Sequence, residues 1–167
     1  GNYNAAANVT QDITVGKATA TVTLAGLSAT YDGGAKVVTA TTVPAGLTVN
    51  LTYAGSATAP AAAGSYAVVG TVSAANYTGS ATGTLVIAKA SQTITFAAIA
   101  DRAYSTTPIV LGGTASSGLG VSYSVTSGPA TVTGSNLTLT GVGVVTVAAS
   151  QAGDANYVEA TSVTRTF

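Results

Sequence analysis

The sequence contains no cysteine, no histidine, no tryptophan and no methionine. Each absence removes a class of chemistry. Without cysteine there is no thiolate nucleophile. Without histidine as well there is no Ser-His-Asp triad and no zinc or copper site of the usual kind. Charge is almost as scarce. Five Lys+Arg and five Asp+Glu among 167 residues make 6% of the chain, with a formal net charge of zero, against roughly a quarter in an average soluble domain. So few charges, scattered along the chain, cannot form a basic stripe for nucleic acid. No catalytic residue, no cofactor-binding residue and no metal ligand is assigned, and an enzyme is not expected. The missing methionine implies a processed product or a piece of something longer. The first ten residues, Gly1–Thr10, are polar and alanine-rich and carry no signal-peptide pattern. The lack of cysteine fits several compartments, because disulfides are permitted outside the cell but not required.

Long apolar runs are lacking too, although mean hydropathy is +0.47. No charge falls between Val37 and Ala88, or between Ala103 and Gly153. Thr, Ser, Asn, Gly and Pro nevertheless interrupt both stretches every few positions, so a transmembrane helix is not expected. A transmembrane barrel needs aromatic girdles. Eight Tyr and two Phe, none at paired strand ends, make a poor girdle, and membrane insertion is not expected.

What the chain does contain is Ala, Thr and Val, which together supply half of it. Thr, Val and Gly are poor helix formers, and 20 Gly with 4 Pro cut the sequence into short pieces. Alternation of period two dominates. It runs through Ala20–Leu24, Leu47–Tyr53, Ser65–Val72, Gln92–Phe96, Val121–Val125 and Thr131–Thr140, the last reading as a hairpin with Gly134-Ser135 in the turn. Such runs, broken every 8–12 residues, predict an all-β sandwich or barrel.

The alternating segments repeat at domain length. Asn2-Tyr3 recurs as Asn76-Tyr77 and as Asn156-Tyr157, at spacings of 74 and 80 residues. At an offset of 154, Asn2, Tyr3, Ala6, Val9 and Thr10 are matched by Asn156, Tyr157, Ala160, Val163 and Thr164. Each pair precedes what reads as a closing strand: Val9–Val15, Ala81–Ile87 and Ser162–Phe167. Lys17-Ala18 and Lys89-Ala90 stand at matching junctions. The expected organisation is therefore the terminal strand of a preceding repeat over residues 1–16, a domain over 17–90 and a second domain over 91–167. The short linkers favour a stiff rod.

Residues 17–90 resemble a bacterial Ig-like repeat of the MBG type. The matching stretches are Ala29–Gly33, Thr42–Gly46, Val49–Tyr53, Ala63–Ala67 and Leu85–Lys89. Residues 91–167 resemble a companion Ig-like repeat through Gln92–Phe96, Leu119–Val125, Ser127–Ala130 and Ala149–Tyr157. The resemblance implies tandem Ig-like antiparallel β-sandwich domains. It also implies a place in a large secreted or surface-attached bacterial protein of the adhesin kind. It carries over no catalytic residue.

The remaining candidates have plain structural readings beside functional ones. Tyr53, Tyr66 and Tyr123 are expected to bury their rings rather than stack on a glycan, with Tyr66 pinning a sandwich corner through its hydroxyl. The Asn-Tyr pairs are expected as loop-to-strand corners, with Tyr anchoring the edge, rather than as a repeated ligand contact. Asp32-Gly33-Gly34 reads as a tight turn and, like Asp154-Ala155-Asn156, falls short of the carboxylates that calcium needs. The Asn-x-Thr sequons at Asn8, Asn50, Asn76 and Asn136 are what 30 Thr produce by chance. An isopeptide bond from Lys17, Lys36 or Lys89 needs a buried acid, and acids are scarce. These lysines read as solvated charges. Gly112-Gly113 and Gly118-Leu119-Gly120 lack the Lys-Ser/Thr of a phosphate loop.

The predicted core is Val22, Leu24, Leu47, Val49, Leu51, Val68, Val72, Leu85 and Ile87 in the first domain. In the second it is Phe96, Ile109, Leu111, Val121, Val125, Leu137, Leu139, Val145, Val147 and Val163. Domains of this size have small cores, so packing between neighbours should matter. Few charges protect the strand edges. The expected function is a spacer or stalk segment of an extracellular, cell-surface protein or fibre. Its expected partners are neighbouring Ig-like repeats in the same chain and like chains in a fibre or matrix. The alternatives are a loop-based glycan- or protein-binding module, and a self-assembling subunit that uses its sheet edges.

Overall fold

Alternating sequences put every second side chain on one face of an extended strand. The computed structural model describes residues 1–167 and consists of strands and turns, with no helix. The fold is an all-β sandwich of Ig-like kind. The N-terminal unit contains β1 (Ala18–Thr19), β2 (Thr21–Ala25), β3 (Ser28–Thr30), β4 (Thr39–Val43), β5 (Val49–Tyr53), β6 (Gly64–Val72), β7 (Tyr77–Thr78) and β8 (Ser80–Ala88). The C-terminal unit contains β9 (Ile94–Thr95), β10 (Ile109–Val110), β11 (Thr114–Ala115) and β12 (Ser122–Ser127). It continues with β13 (Ala130–Thr133), β14 (Asn136–Leu139), β15 (Thr146–Ser150) and β16 (Val163–Thr166).

In the N-terminal unit one sheet has the order β3-β8-β6-β5, and β2 pairs with β4 in a second. In the C-terminal unit the sheets are β12-β15-β16, β10-β14-β13 and β9-β11. Pairing is antiparallel with two exceptions: β1 runs parallel to β7, and β3 runs parallel to β8. The expectation of a purely antiparallel sandwich is corrected at these places. In both cases an opening strand lies beside a late one that runs the same way.

Two separate sets of side chains are buried. Val38, Tyr53, Val68, Leu85 and Ile87 pack together in the N-terminal unit, next to Ala20, Val22 and Val72. Ile94, Phe96, Leu111, Leu137, Leu139, Val145, Val147, Ala149 and Ala160 form the core of the C-terminal unit. Val22, Val68, Val72, Leu85, Ile87, Phe96, Leu111, Leu137, Leu139, Val145 and Val147 are buried as expected. Leu24, Leu47, Val49, Leu51, Ile109, Val121, Val125 and Val163 are only half-buried. The reason is position. Several of them lie on edge strands such as β5, whose outer side has no neighbour.

Gln92–Phe96 shortens to the two residues of β9, yet its alternation survives, with Gln92, Ile94 and Phe96 all buried. The Gly134-Ser135 hairpin forms as read, with Thr133 opposite Asn136. Val9–Val15 forms no strand, because no sheet edge of the chain receives it. Val9 and Ile13 are 93% and 84% exposed.

Candidate functional site

The two lysine-alanine steps and the two Asn-Tyr pairs that follow them build one device twice. In the N-terminal unit the Ala18 N–H donates to Asn76 O at 2.9 Å, and the Ala20 N–H to Thr78 O at 2.8 Å. The Lys17 ammonium donates to Ala74 O at 3.0 Å. In the C-terminal unit the Ala90 N–H donates to Asn156 O at 2.9 Å, and Val158 N–H returns to Ala90 O at 2.9 Å. The Lys89 ammonium donates to Asp154 O at 2.5 Å. In each copy the lysine holds the carbonyl two residues before the asparagine. Lys17 and Lys89 are therefore not merely solvated charges, as the sequence reading had them. They fasten the corner loop to the segment that leads into the unit.

Local chemistry shapes the second corner. Asp154 Oδ1 accepts the N–H groups of Asn156 and Tyr157, both at 2.8 Å. Gly153 has a positive φ of +79°, and a Cβ there would overlap the Tyr157 carbonyl. Beneath the corner lies a polar network. Gln92 is buried; its Nε2 donates to Gln151 Oε1 at 2.5 Å and to Val158 O at 2.8 Å, while Ser117 Oγ donates to its Oε1. A satisfied buried amide of this kind rigidifies what it touches. Sequence reading took Gln92 only as part of a strand. Its place on the buried side of the alternation, between an apolar Ile94 and the corner, was the available signal.

Asn156 and Tyr157 also reach out of their own unit. Asn156 Oδ1 accepts the N–H of Ala63 at 2.9 Å. The Tyr157 ring stands edge-on to Tyr31, with centroids 5.3 Å apart and planes at 83°. Ala63 and Tyr31 belong to the N-terminal unit. The corner reading thus holds, and Tyr77 packs on its own unit beside Ala20, Val22 and Val72 as expected, but Tyr157 does not anchor its own edge alone. It spans the contact between the two units. A hydrogen bond nets about 1 kcal/mol and an edge-to-face pair about 0.5–1.5 kcal/mol, so the contact is modest but directional. The matching Asn76 faces no unit and is exposed.

The other singled-out residues act locally. Tyr53 is buried and its hydroxyl accepts the Val38 N–H at 2.9 Å. Tyr66 is only half-buried, and its hydroxyl donates to Ala62 O at 3.0 Å, the corner pin read from the sequence. The Tyr123 hydroxyl accepts the Gly113 N–H at 2.5 Å, and its half-buried ring packs on Phe96. Asp32 caps its turn by accepting the Gly34 N–H at 2.8 Å and pairs with Lys36 at 2.5 Å. The Lys36 ammonium, followed by the Gly34 N–H, holds the Asp32 carboxyl below the usual carboxylate range. Asn50 and Asn136 lie inside β5 and β14.

No curated protein matches the chain. Residues 20–91, which carry the Asn76-Tyr77 corner along with Tyr31 and Ala63, match the family model of the MBG domain.

Proposed function

We propose that the chain is a non-catalytic spacer segment of an extracellular, surface-attached bacterial protein. Residues 17–90 and 91–167 act as two tandem Ig-like domains, and residues 1–16 are the terminal strand of a preceding one. The observation that carries this reading is the contact between the units. A spacer must fix the angle between neighbours as well as the distance. Asn156–Ala63 and Tyr157–Tyr31 do this with one hydrogen bond and one aromatic pair, next to the Ala90–Tyr157 bridge. The MBG match over residues 20–91 supports the surface role through the proteins in which such repeats occur. Nuclear magnetic relaxation tests the reading. The two units of the unaltered chain should tumble as one body, and Asn156→Ala with Tyr157→Ala should let them tumble separately. Separate tumbling in the unaltered chain would overturn it.

A second reading, lateral assembly into a matrix, draws on β5. This strand has an open outer edge, flanked by a groove lined by Val37, Leu51 and Ala59. Open edges of low charge invite pairing. Sedimentation that gives a monomer at millimolar concentration would remove it.

A further inference from the structure

The two Asn-Tyr corners share their lysine and alanine bonds and differ in one buried side chain. Setting Lys17-Ala18 against Lys89-Ala90 places Ala20 opposite Gln92, Val22 opposite Ile94 and Leu24 opposite Phe96. Ala20 and Gln92 are both buried. The carbonyl just after the corner tyrosine is taken differently in the two copies. Thr78 O accepts the backbone N–H of Ala20 at 2.8 Å. Val158 O accepts instead from a side chain, Gln92 Nε2, also at 2.8 Å. An amide in the place of a methyl group is costly to bury unless its whole polar end is paired.

The partners of that amide lie on both limbs of the corner loop. On the limb that enters the corner, Gln151 Oε1 accepts from Gln92 Nε2 and from the Gly153 N–H. On the limb that leaves it, Val158 O accepts from the same Nε2. One side chain thus closes the neck of the loop, and Asn156 and Tyr157 stand between the closed limbs. The amide is held one way round. Its oxygen accepts the Ser117 hydroxyl, and a flipped amide would set that oxygen against two acceptors. Ser117 belongs to the connection between β11 and β12, which is itself tied down. The Ser116 N–H donates to Thr93 O at 2.9 Å, and the Thr93 N–H to Ser116 Oγ at 3.0 Å.

We infer that Gln92 is the positioning residue of the contact between the units. Its hydrogen bonds all stay within the C-terminal unit. Its effect is on the corner, which it holds so that Asn156 Oδ1 meets the Ala63 N–H and Tyr157 meets Tyr31. The size of the contact is the reason such a residue is needed. One hydrogen bond and one aromatic pair return no more free energy than fixing the backbone of two loose residues consumes. A loop that had to be ordered on docking would therefore not dock. Gln92 orders it beforehand, inside its own unit, and the contact is left with nothing to offset. The corner that reaches another unit is the one with the glutamine, and the corner with alanine in that place leaves Asn76 exposed.

The inference rests on the spacer reading for the contact itself, and amide exchange at Ala63, measured in the full chain, separates the two. Ala63 lies in the other unit, so a glutamine that only stabilises its own unit leaves that amide unchanged. Gln92→Met keeps nearly the volume of the side chain and removes its three hydrogen bonds. Gln92→Ala gives the place the residue of the other corner. Both should speed Ala63 exchange about fivefold, the change expected of one lost hydrogen bond, and adding Asn156→Ala to either should speed it no further. Exchange at Leu137, fully buried in the C-terminal core, reports that this unit remains folded. An Ala63 that responds to Asn156→Ala but to neither change at Gln92 overturns the positioning role and leaves the spacer reading standing. So does loss of Leu137 protection in both variants, because Gln92 then holds the unit rather than the corner. An Ala63 indifferent to Asn156→Ala overturns both.

Discussion

Tyr53 and Tyr66 lie in neighbouring strands and look alike in sequence, but their environments differ. Tyr53 is buried and its oxygen is the partner of a buried amide, that of Val38. Tyr53→Phe keeps the ring and leaves that amide unpaired, which should cost about 1–3 kcal/mol. Tyr53→Ala adds the loss of packing and should cost about 3–5 kcal/mol. Tyr66→Ala should cost less, about 1–2 kcal/mol, because its ring is already partly in water. Equilibrium urea unfolding ranks the three. Asp32 sets a different test. Its carboxyl is held below the usual range by Lys36 and the Gly34 N–H. Its contribution is therefore present above the ordinary carboxylate value and is lost as pH falls through the lowered one. The Gly34 amide resonance should move on that acid limb, and Asp32→Ala should abolish the movement. The tight turn at Asp32 was legible because its hydrogen bond closes over two residues. The burial of Val38 was not, since it packs against Tyr53, Val68, Leu85 and Ile87, and the hydroxyl that pairs its amide is 15 residues away.

At the scale of elements, two glycines separate two kinds of need. Gly134 sits in the β13–β14 hairpin with φ +61°, and nothing crowds its Cβ position. Gly134→Ala should cost about 1 kcal/mol, the conformational penalty alone. Gly79, between β7 and β8, lies so close to the opening strands that a Cβ would overlap the Ala20 carbonyl. Gly79→Ala should cost more, about 2–4 kcal/mol, because backbone has to move. Thermal unfolding of the two variants makes the comparison. The hairpin was readable because a period-two pattern and a turn residue are both local signals. The parallel pairs β1–β7 and β3–β8 were not, because each joins segments whose partnership only the closed sandwich defines. The same holds for the contact between the units. Recurrence of Asn-Tyr marked one half of it, whereas Ala63, 93 residues from its partner, carries no mark in its own neighbourhood.

The whole molecule buries only 20 of its 167 residues, so each unit has a small core and little stability to spare. The cores share no buried residue. Leu137→Ala, at a fully buried site, should cost about 2–5 kcal/mol. It should lower the unfolding of the C-terminal unit while exchange at Val68 in the other unit stays as it was. Hydrogen exchange read residue by residue checks this. The lysine hooks add a property of another kind. Each ammonium rests on a neutral carbonyl, Lys17 at 3.0 Å and Lys89 at 2.5 Å. Both distances are at or below the screening length even of concentrated salt, about 3 Å at 1 M. The contact between the units otherwise relies on an amide and two aromatic rings, which offer dissolved ions nothing to screen. The angle between the units should therefore be the same in fresh water and in brine, and scattering profiles recorded across that range should superimpose.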